Sequence, residues 1–228
     1  MDPVEWLDLG ATGYDEALLV QRKLHGECWR GLRPDVVLFQ QNEPVITCGI
    51  DADPAHILWS EPRLREAGIK VKKVSRGGGV SYHGPGQLVV SPVLHFLRYR
   101  KTAHVYLRAL EDVMILLLER YGFEGRRIEG KSGVFVGNDK IAAAGLACSH
   151  SVTMHGMSLN VCPDMRHYEA IVACGLHDTG VTSLEALGCE TPSHEAYEKA
   201  RDAWLAAFPA VFGVQPEPMK KEEANWPR

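Results

Sequence analysis

The sequence predicts an α+β fold in which a mixed β-sheet is flanked by helices. Short apolar runs of strand length outnumber the segments with helical periodicity, and the two kinds of segment do not alternate regularly. Regular alternation would indicate a parallel sheet built from βαβ units, so its absence favours a mixed sheet. The composition, 45% hydrophobic and 24% charged in 228 residues, is that of an ordinary globular protein.

We expect a single domain over residues 1–213, because no linker-like stretch interrupts them. Residues 214–228 contain three prolines and a Lys-Lys-Glu-Glu run, and polar, proline-rich chain ends are commonly poorly ordered. The sequence therefore predicts a poorly ordered C-terminal tail over these residues.

The first half of the chain is predicted to contain one helix and five strands. Apolar residues at helical spacing, among them Tyr14, Leu24 and Cys28, indicate a helix over residues 14–29. Strands are indicated by the apolar runs at residues 4–8, 36–39, 45–48, 69–74 and 88–97. Because only a short turn at Pro44 separates the second run from the third, we expect those two strands to pair.

The second half is predicted to contain two long helices and a hairpin. The spacing predicts helices over 104–121, with Thr102 as N-cap, and over 193–212. Residues 134–136 and 140–146 flank Gly137-Asn138-Asp139, whose residue types favour a tight turn between paired strands. A further strand is expected over 152–161, and Thr182-Ser183-Leu184-Glu185 matches a capping box before a short helix.

Charge and cysteine content narrow the class of protein. The formal net charge of −4 argues against nucleic acid as a partner, and no apolar stretch approaches the ~18 residues that a membrane span needs. No signal peptide is recognisable, so we expect the six cysteines to be free thiols of a cytoplasmic protein. A basic stretch from Arg63 to Arg76 is either a solvated surface or a patch for an acidic or phosphate-bearing partner.

The densest functional motif is the segment Arg-Gly-Gly-Gly-Val-Ser-Tyr-His-Gly-Pro-Gly-Gln at residues 76–87. Glycine reaches backbone angles that are closed to other residues and lets a ligand approach the main chain. Arg76, Tyr82 and His83 add a charge, an aromatic ring and a hydrogen-bonding group. A plain turn seldom combines these features, so we interpret the segment as a ligand-binding loop.

Three further stretches carry candidate functional residues. Lys140 precedes a run of small residues, 142–145, which would leave room for a ligand beside the strand. His155 and Asn160 are polar residues in a largely apolar strand, and Cys174 precedes a glycine in a predicted loop. Each also has an ordinary structural explanation: an exposed lysine, satisfied buried polar groups and a small apolar cysteine.

A pairing of Lys140 with Cys174 would make the cysteine reactive. A free thiol with a pKa of about 8.5 is only a few per cent thiolate at neutral pH. An ammonium group ~4 Å from the sulfur, at an effective dielectric of ~20, attracts the thiolate by about 4 kcal/mol and lowers the thiol pKa by up to ~3. Such a thiol would be mostly ionised at neutral pH.

The motifs, in this order, resemble those of the lipoyl(octanoyl) transferases. That family carries an Arg-Gly-Gly-x-x-[Thr/Ser]-Tyr-His-Gly-Pro-Gly-Gln loop, a Gly-x-x-Lys-Ile stretch, a His-Gly-x-x-Leu-Asn stretch and a Cys-Gly pair, found here at 76–87, 137–141, 155–160 and 174–175. The resemblance covers residues 4–190 and implies a fold like that of biotin and lipoate protein ligases. Ile50, Ala173 and Ser91 stand where the family usually has a basic residue, a proline and an aromatic residue.

The resemblance implies an enzyme that moves an octanoyl group from octanoyl-acyl carrier protein to a lysine of a lipoyl domain. The implied acceptors are the lipoyl domains of 2-oxoacid dehydrogenase complexes and the glycine cleavage H protein. The donor's phosphopantetheine arm would be part of the substrate, and neither a separate cofactor nor a metal is expected.

The resemblance also implies the site residues. Cys174 would carry the acyl group as a thioester, and Lys140 would lower the pKa of its thiol. The implied substrate-binding residues are Arg76, Gly77, Gly78, Gly79, Val80, Ser81, Tyr82, His83, Ala143, Ala144, Gly145, His155, Gly156, Met157 and Ser158. We expect the acyl chain to lie on residues 143–145 and Tyr82, and main-chain N–H groups near Gly145 or in the glycine loop to stabilise the oxyanion. Lys140 is the expected proton acceptor, with His83 and His155 as alternatives.

Other functions stay open from the sequence. An ATP-dependent lipoate or biotin protein ligase would share the fold without needing a cysteine, and an amidotransferase would take the octanoyl group from another lipoyl domain. A catalytically inactive ligand-binding protein would have the pocket without a reactive thiol. A metal site of Cys148, His150, His155 and Cys162 lacks a common zinc spacing, and nothing else in the chain supports a cysteine protease.

Overall fold

A computed structural model describes residues 3–172, 179–189 and 193–220 of the chain. Within these ranges the strands are β1 (Val4–Thr12), β2 (Asp35–Asn42), β3 (Val45–Cys48), β4 (Lys70–Lys73), β5 (Val80–His83), β6 (Gln87–Val93), β7 (Gly125–Arg126), β8 (Val134–Val136), β9 (Asp139–Ser149), β10 (Val152–Asn160) and β11 (Pro216–Pro218). The α-helices are α1 (Tyr14–Trp29), α2 (Glu61–Glu66), α3 (Ala103–Arg120) and α4 (Ser193–Phe212).

The main sheet has eight strands in the order β11-β1-β2-β6-β10-β9-β8-β7. Strand β1 runs parallel to β2 and β11, and the remaining neighbours in the sheet are antiparallel. The sheet is therefore mixed and is flanked by helices, which confirms the predicted α+β class.

The two faces of the main sheet pack against different helices because side chains alternate along each strand. Phe39 of β2 and Val90 of β6 face a large core with α3 and α4. Leu38 and Val93 of the same two strands face the opposite side, where they pack against α1. Helix α1 covers only part of that face, and the uncovered part forms the floor of a cavity lined by residues of the glycine loop.

A second sheet has three strands in the order β4-β3-β5 and carries the glycine-rich segment between β4 and β5. Ile46, Val80 and Tyr82 form part of its own small core. The N–H of Gly77 donates to the carbonyl of Leu146 in β9 at 2.8 Å, so the glycine loop is joined directly to the main sheet.

Several local predictions are confirmed. Thr102 caps α3, since its hydroxyl oxygen accepts a hydrogen bond from the N–H of Val105. The predicted hairpin is formed by β8 and β9, with Val136 opposite Asp139. Helices α1 and α4 begin and end at the predicted residues.

The predicted pairing of residues 36–39 with residues 45–48 is wrong. Strand β2 lies in the main sheet between β1 and β6, so both of its edges are already occupied. The chain leaves this sheet at Glu43 and Pro44, and β3 pairs with β4 and β5 in the second sheet. The short connection between β2 and β3 therefore joins two different sheets rather than two paired strands.

The predicted short helix after Thr182 is also absent, as residues 184–188 form only a turn. The hydroxyl of Ser183, not of Thr182, accepts a hydrogen bond from Ala186 N–H. The N–H of Thr182 donates instead to the carbonyl of Lys140, because this segment runs beside β9. The turn ends at Gly188, which has a positive φ of 88° that stops a helix.

The prediction of a poorly ordered tail from residue 214 is wrong for residues 214–220. Strand β11 pairs with β1, and Met219 is buried in the core beneath α1. Its N–H donates to the carbonyl of Trp6. The apolar contact of Met219 and the free edge of β1 outweigh the local effect of two prolines at a sheet edge. Residues 221–228 lie outside the described residues, and a single domain over 1–213 stays a prediction.

We predict that Met219→Ala lowers the free energy of unfolding by about 2 kcal/mol, because it removes a buried side chain from the core shared with α1. The measurement is urea unfolding of the full chain. Lys220→Ala is the control, since Lys220 is exposed and its loss should change the free energy by less than about 0.5 kcal/mol. Equal small effects of both substitutions would contradict the observed packing of this segment.

Candidate active site

A cavity lies between the uncovered face of the main sheet, the first half of α1 and the glycine loop. Ten of its lining residues are among those predicted from the sequence: Arg76, Ser81, His83, Ala143, Ala144, Gly145, His155, Gly156, Met157 and Ser158. The structure thus brings three motifs that are distant in the sequence around one space.

Small residues of β9 and β10 form the floor of this cavity. Ala143 lies opposite Ser158 and Gly145 lies opposite Gly156 in the antiparallel ladder. A side chain at Gly145 would crowd the loop above, since its Cβ would lie 3.0 Å from Arg76 Cδ and 3.1 Å from the carbonyl oxygen of Gly77. The close approach of the glycine loop therefore favours a residue without a side chain at position 145.

Arg76 lies above the floor and is fixed by the second sheet. Its side chain is only 6% exposed, and Nη2 donates to both the carbonyl and the hydroxyl oxygen of Thr47 at 2.8 Å. Its carbonyl oxygen accepts from the N–H of Ile50, whose side chain is exposed. Arg76 therefore places a positive charge at the cavity in a defined position.

Residues of β5 alternate between the cavity and the core of the second sheet. Ser81 and His83 line the cavity. Val80 and Tyr82 point the other way, and the Tyr82 hydroxyl lies 2.7 Å from Nδ1 of His167. Tyr82 therefore does not line this cavity, because the alternation of the strand turns its ring away. Contact of the acyl chain with Tyr82 stays a prediction.

The glycines of the loop shape the site without lining the cavity. Gly77, Gly78 and Gly79, like Val80 and Tyr82, are not among the residues that line it. The N–H groups of Gly77 and Gly78 donate to Leu146 and to the Asp51 carboxylate. These two N–H groups are thus already used and are not available to an oxyanion.

His155 adopts an unusual backbone conformation in β10. Its φ is 58°, in the left-handed region, and its N–H donates to the side-chain oxygen of Gln21 in α1 at 3.0 Å. The following Gly156 also has a positive φ, so the backbone departs from the extended conformation at these two residues while β10 keeps its register with β9, and His155 lines the cavity. A non-glycine residue in this conformation is often found at a functional site.

Both histidines of the cavity are poor bases. Burial, together with the nearby positive charge of Arg76, lowers the pKa of His83 to about 3 and that of His155 to about 4. Both imidazoles are therefore neutral near pH 7. Neither is suited to accept a proton at that pH, which leaves Lys140 as the better of the three predicted acceptors.

Lys140 is buried at the beginning of β9. Its side chain is 4% exposed, and Nζ lies 5.4 Å from the ring centroid of Phe135, a distance typical of a cation–π contact. Its N–H donates to the carbonyl of Gly180, and its carbonyl oxygen accepts from the N–H of Thr182. The main chain of residues 180–182 therefore lies alongside Lys140.

Cys174 lies outside the described residues, as do Ala173 and Gly175. The chain is described on both sides of this gap. The N–H of Val172 donates to the carbonyl of His56, and the carbonyl of Gly180 accepts from the N–H of Lys140. The proximity of Cys174 to Lys140 stays a prediction.

A polar network lies beside the cavity and extends to the segment that contacts Lys140. Gln87 Nε2 donates to the side-chain oxygen of Asn160 at 3.0 Å and to the hydroxyl of Tyr168 at 2.8 Å. Asn160 Nδ2 in turn donates to the carbonyl of Thr182. Asn160, flagged in the sequence as a polar residue in an apolar strand, is thus a buried and hydrogen-bonded structural residue.

Six lining residues were not predicted as site residues: Tyr14, Gln21, Gln40, Asn42, Val89 and Ser91. Gln40 and Asn42 are two positions apart in β2, so they share a face, but Gln41 between them is polar as well. The sequence therefore did not show which of these side chains meets the cavity. Tyr14 and Gln21 gave no signal, because their position depends on how α1 packs.

Two further features are absent from the described part of the chain. No three His, Cys, Asp or Glu side chains described by the structure come close enough to share a metal ion. Among the described helices, none is both long and apolar enough to cross a membrane.

Comparisons with known proteins agree with this geometry. Residues 13–208 match the family described as the lipoyl protein ligase A/B catalytic domain. The chain is 42% identical over 210 residues to the octanoyltransferase of Gloeobacter violaceus, covering 92% of this chain and 88% of that protein. It is 40% identical over 217 residues to the octanoyltransferase of Caldicellulosiruptor bescii, covering 94% of each.

A solved structure shows the same fold at low sequence identity. The bipartite lipoate protein ligase of Thermoplasma acidophilum, analysed with its E2 lipoyl domain, superposes with a TM-score of 0.71 and 15% identity. The match covers 98% of this chain and 90% of that one.

We predict that His155→Asn makes the stability of the protein less dependent on pH in mildly acidic solution. The unfolded histidine takes up a proton below about pH 6.5, whereas folded His155 stays neutral down to its pKa of about 4. The contribution of neutral His155 to the free energy of unfolding is therefore complete above about pH 6.5. It is lost as the pH falls, by up to about 1.4 kcal/mol per pH unit. Asparagine tolerates the left-handed conformation.

The measurement is the free energy of unfolding in urea at about pH 6 and about pH 5, where the variant should show a shallower slope by about 1 kcal/mol per pH unit. His104→Asn, an exposed position on α3, is the control for replacing a histidine without burial. Identical slopes for the wild type and His155→Asn would contradict a buried neutral imidazole.

Proposed function

The chain belongs to the lipoyl protein ligase A/B catalytic domain family and is an acyltransferase of the octanoyltransferase type, and we propose that it transfers the octanoyl group through a thioester on Cys174. The proposed donor is octanoyl-acyl carrier protein, and the proposed acceptor is a lysine of a lipoyl domain. The observation that carries this proposal is the cavity floor of small residues that begins three positions after the buried Lys140.

The acceptor class is supported by the relatives. The structurally similar ligase of Thermoplasma acidophilum was analysed together with an E2 lipoyl domain. We therefore propose lipoyl domains of 2-oxoacid dehydrogenase complexes and the glycine cleavage H protein as acceptors. Carrier protein and acceptors of this kind imply that the chain acts in the cytoplasm.

In the proposed first step, the Cys174 thiolate attacks the thioester carbonyl carbon of the donor. A new carbon–sulfur bond forms, the bond to the phosphopantetheine sulfur breaks, and the departing thiolate takes the proton of the Lys140 ammonium, which leaves the Lys140 amine neutral. The product is an octanoyl thioester on Cys174 and a free carrier thiol.

In the second step, the neutral amine of the acceptor lysine attacks the thioester carbon. The carbon–nitrogen bond forms, the bond to Cys174 breaks, and the proton lost by the amine passes to Lys140 or to the departing sulfur. An amide on the acceptor and a regenerated Cys174 result. No step consumes a nucleotide, because the donor thioester is already activated.

Lys140 is proposed as the group that activates Cys174. The main chain of residues 180–182 is hydrogen-bonded to Lys140, and Gly180 lies six positions after Cys174 in the sequence. A chain of that length reaches at most about 21 Å, so it allows the thiol to return to Lys140. A buried ammonium beside the thiol would favour the thiolate.

The acyl chain is proposed to lie on the floor formed by residues 143–145 and 156–158. This floor carries few side chains, and Arg76 and β5 close it from above. In this arrangement Ser81 and His83, rather than Tyr82, are the residues of β5 whose side chains face the acyl chain. The neutral form of His83 avoids placing a second positive charge beside Arg76.

Two other reactions considered for this fold would differ from the proposed one in the acyl donor. An ATP-dependent ligase would use free octanoate with ATP, and an amidotransferase would use an octanoylated lipoyl domain. Transfer that requires octanoyl-acyl carrier protein and is unaffected by ATP would support the proposed reaction.

We predict that Cys174→Ala abolishes formation of the acyl-enzyme. Intact-mass spectrometry after incubation with octanoyl-acyl carrier protein should detect the octanoyl adduct on the wild type and none on the variant. Cys148→Ala is the matched control, because Cys148 is an exposed cysteine near the end of β9 and its loss should leave the adduct unchanged. An adduct of equal yield on Cys174→Ala would remove Cys174 from this role.

We predict that Lys140→Met raises the apparent pKa of Cys174 by one to three, because it removes a positive charge from beside the thiolate, and that it slows transfer by about a hundredfold or more. The measurement is the rate of thiol alkylation as a function of pH, read at Cys174 by peptide mass spectrometry. Lys101→Met, at an exposed lysine, is the control. An unchanged alkylation profile for Lys140→Met would rule out the pairing.

A further inference from the structure

One wall of the cavity is polar although the proposed acyl group is not. Gln40 and Asn42 line the cavity from β2, and their side chains are buried, with 1% and 2% exposure. They make one hydrogen bond to each other, from Gln40 Nε2 to Asn42 Oδ1, at 3.4 Å. Gln40 Oε1 and Asn42 Nδ2 have no hydrogen-bond partner among the described residues.

The two amides, both on residues that line the cavity, therefore leave one acceptor and one donor without a partner among the described residues. Exchanging the oxygen and nitrogen of both amides keeps their mutual hydrogen bond and again leaves one donor and one acceptor. The pattern thus does not depend on how the two amides are oriented. A third buried atom on this cavity, Nε2 of His155, also has no partner among the described residues.

Buried polar atoms without partners are costly, so they indicate a group that satisfies them when the site is filled. A hydroxyl group matches this wall, because it donates one hydrogen bond and accepts others. A carboxylate fits less well, because it only accepts hydrogen bonds and the wall itself is uncharged. An unbroken hydrocarbon tail would leave both amides unsatisfied.

The polar wall lies far from the reacting end of the cavity. Strand β2 is separated from β9 by β6 and β10, a distance of about 14 Å at the usual strand spacing. Under the proposed function, the acyl carbonyl lies near Lys140 on β9. A chain that crosses the floor toward β2 therefore presents its distal carbons to Gln40 and Asn42.

We propose that Gln40 and Asn42 form a binding site for a hydroxyl group on the distal part of a medium-chain acyl group. The substrate class of this cavity then includes distally hydroxylated acyl thioesters. This inference rests on the proposed function for the direction of the acyl chain, and it adds a specificity that the octanoyl group does not explain.

The test compares two donors that differ only where the wall would act. Carrier protein is loaded with an 8-hydroxyoctanoyl group or with a nonanoyl group, in which a methyl replaces the hydroxyl. The measured quantity is the ratio of kcat/KM for hydroxyoctanoyl over nonanoyl transfer to a lipoyl domain. We expect the wild type to favour the hydroxylated chain about tenfold to a hundredfold, because only that chain satisfies the two amides.

Gln40→Leu should lower this ratio by about tenfold or more, and Asn42→Leu should act in the same direction. Val89→Ala is the matched control, because Val89 pairs with Gln40 in the sheet and lines the same cavity without a polar atom. It changes the size of the pocket and should leave the ratio within about twofold of the wild-type value. A wild-type ratio of one or less, or a ratio unchanged in Gln40→Leu, would overturn the proposal.

A binding measurement separates this inference from the proposed function. The affinities of free 8-hydroxyoctanoate and nonanoate are compared by calorimetry, with the wild type and with Gln40→Leu. A preference for the hydroxylated acid that is lost in the variant supports the polar wall even if carrier-protein transfer is not observed. Equal affinities in both proteins overturn it even if octanoyl transfer is efficient.

Discussion

The close approach of the glycine loop to the β9–β10 ladder is the constraint on which the site depends. Gly145 lies opposite Gly156, and the loop rests on this part of the ladder through the hydrogen bond from Gly77 to Leu146. The absence of a side chain at Gly145 lets Arg76 lie over this position without a tight contact. The cavity, its floor and its positive charge therefore follow from one contact between two sheets.

A second constraint joins the cavity to the proposed reaction. Lys140 belongs to a strand that forms part of the floor, and its main chain is hydrogen-bonded to the main chain of residues 180 and 182. Asn160 connects the same segment to Gln87 through its side chain. The buried amine therefore holds a defined position relative to the floor on which the acyl chain is proposed to lie.

The sequence predicted much of the fold and most of the cavity. Strongly periodic helices, the hairpin before Lys140 and the family resemblance are confirmed, since each depends on local pattern or on specific motifs. The sheet assignment of β3 could not be read locally, because it depends on both edges of β2 being occupied. The orientation of Tyr82 and the polar wall at Gln40 likewise depend on which face of a strand meets the cavity, and Met219 is ordered by a core that is distant in sequence.

The most direct test of the central claim is a crystal structure of the protein after reaction with an octanoyl thioester. The account predicts an octanoyl group bonded to Cys174 Sγ, with Lys140 Nζ within hydrogen-bonding distance of the sulfur or the thioester. The acyl chain should extend over residues 143–145 beneath Arg76. An acyl group attached to another residue, or a Cys174 distant from Lys140, would contradict it.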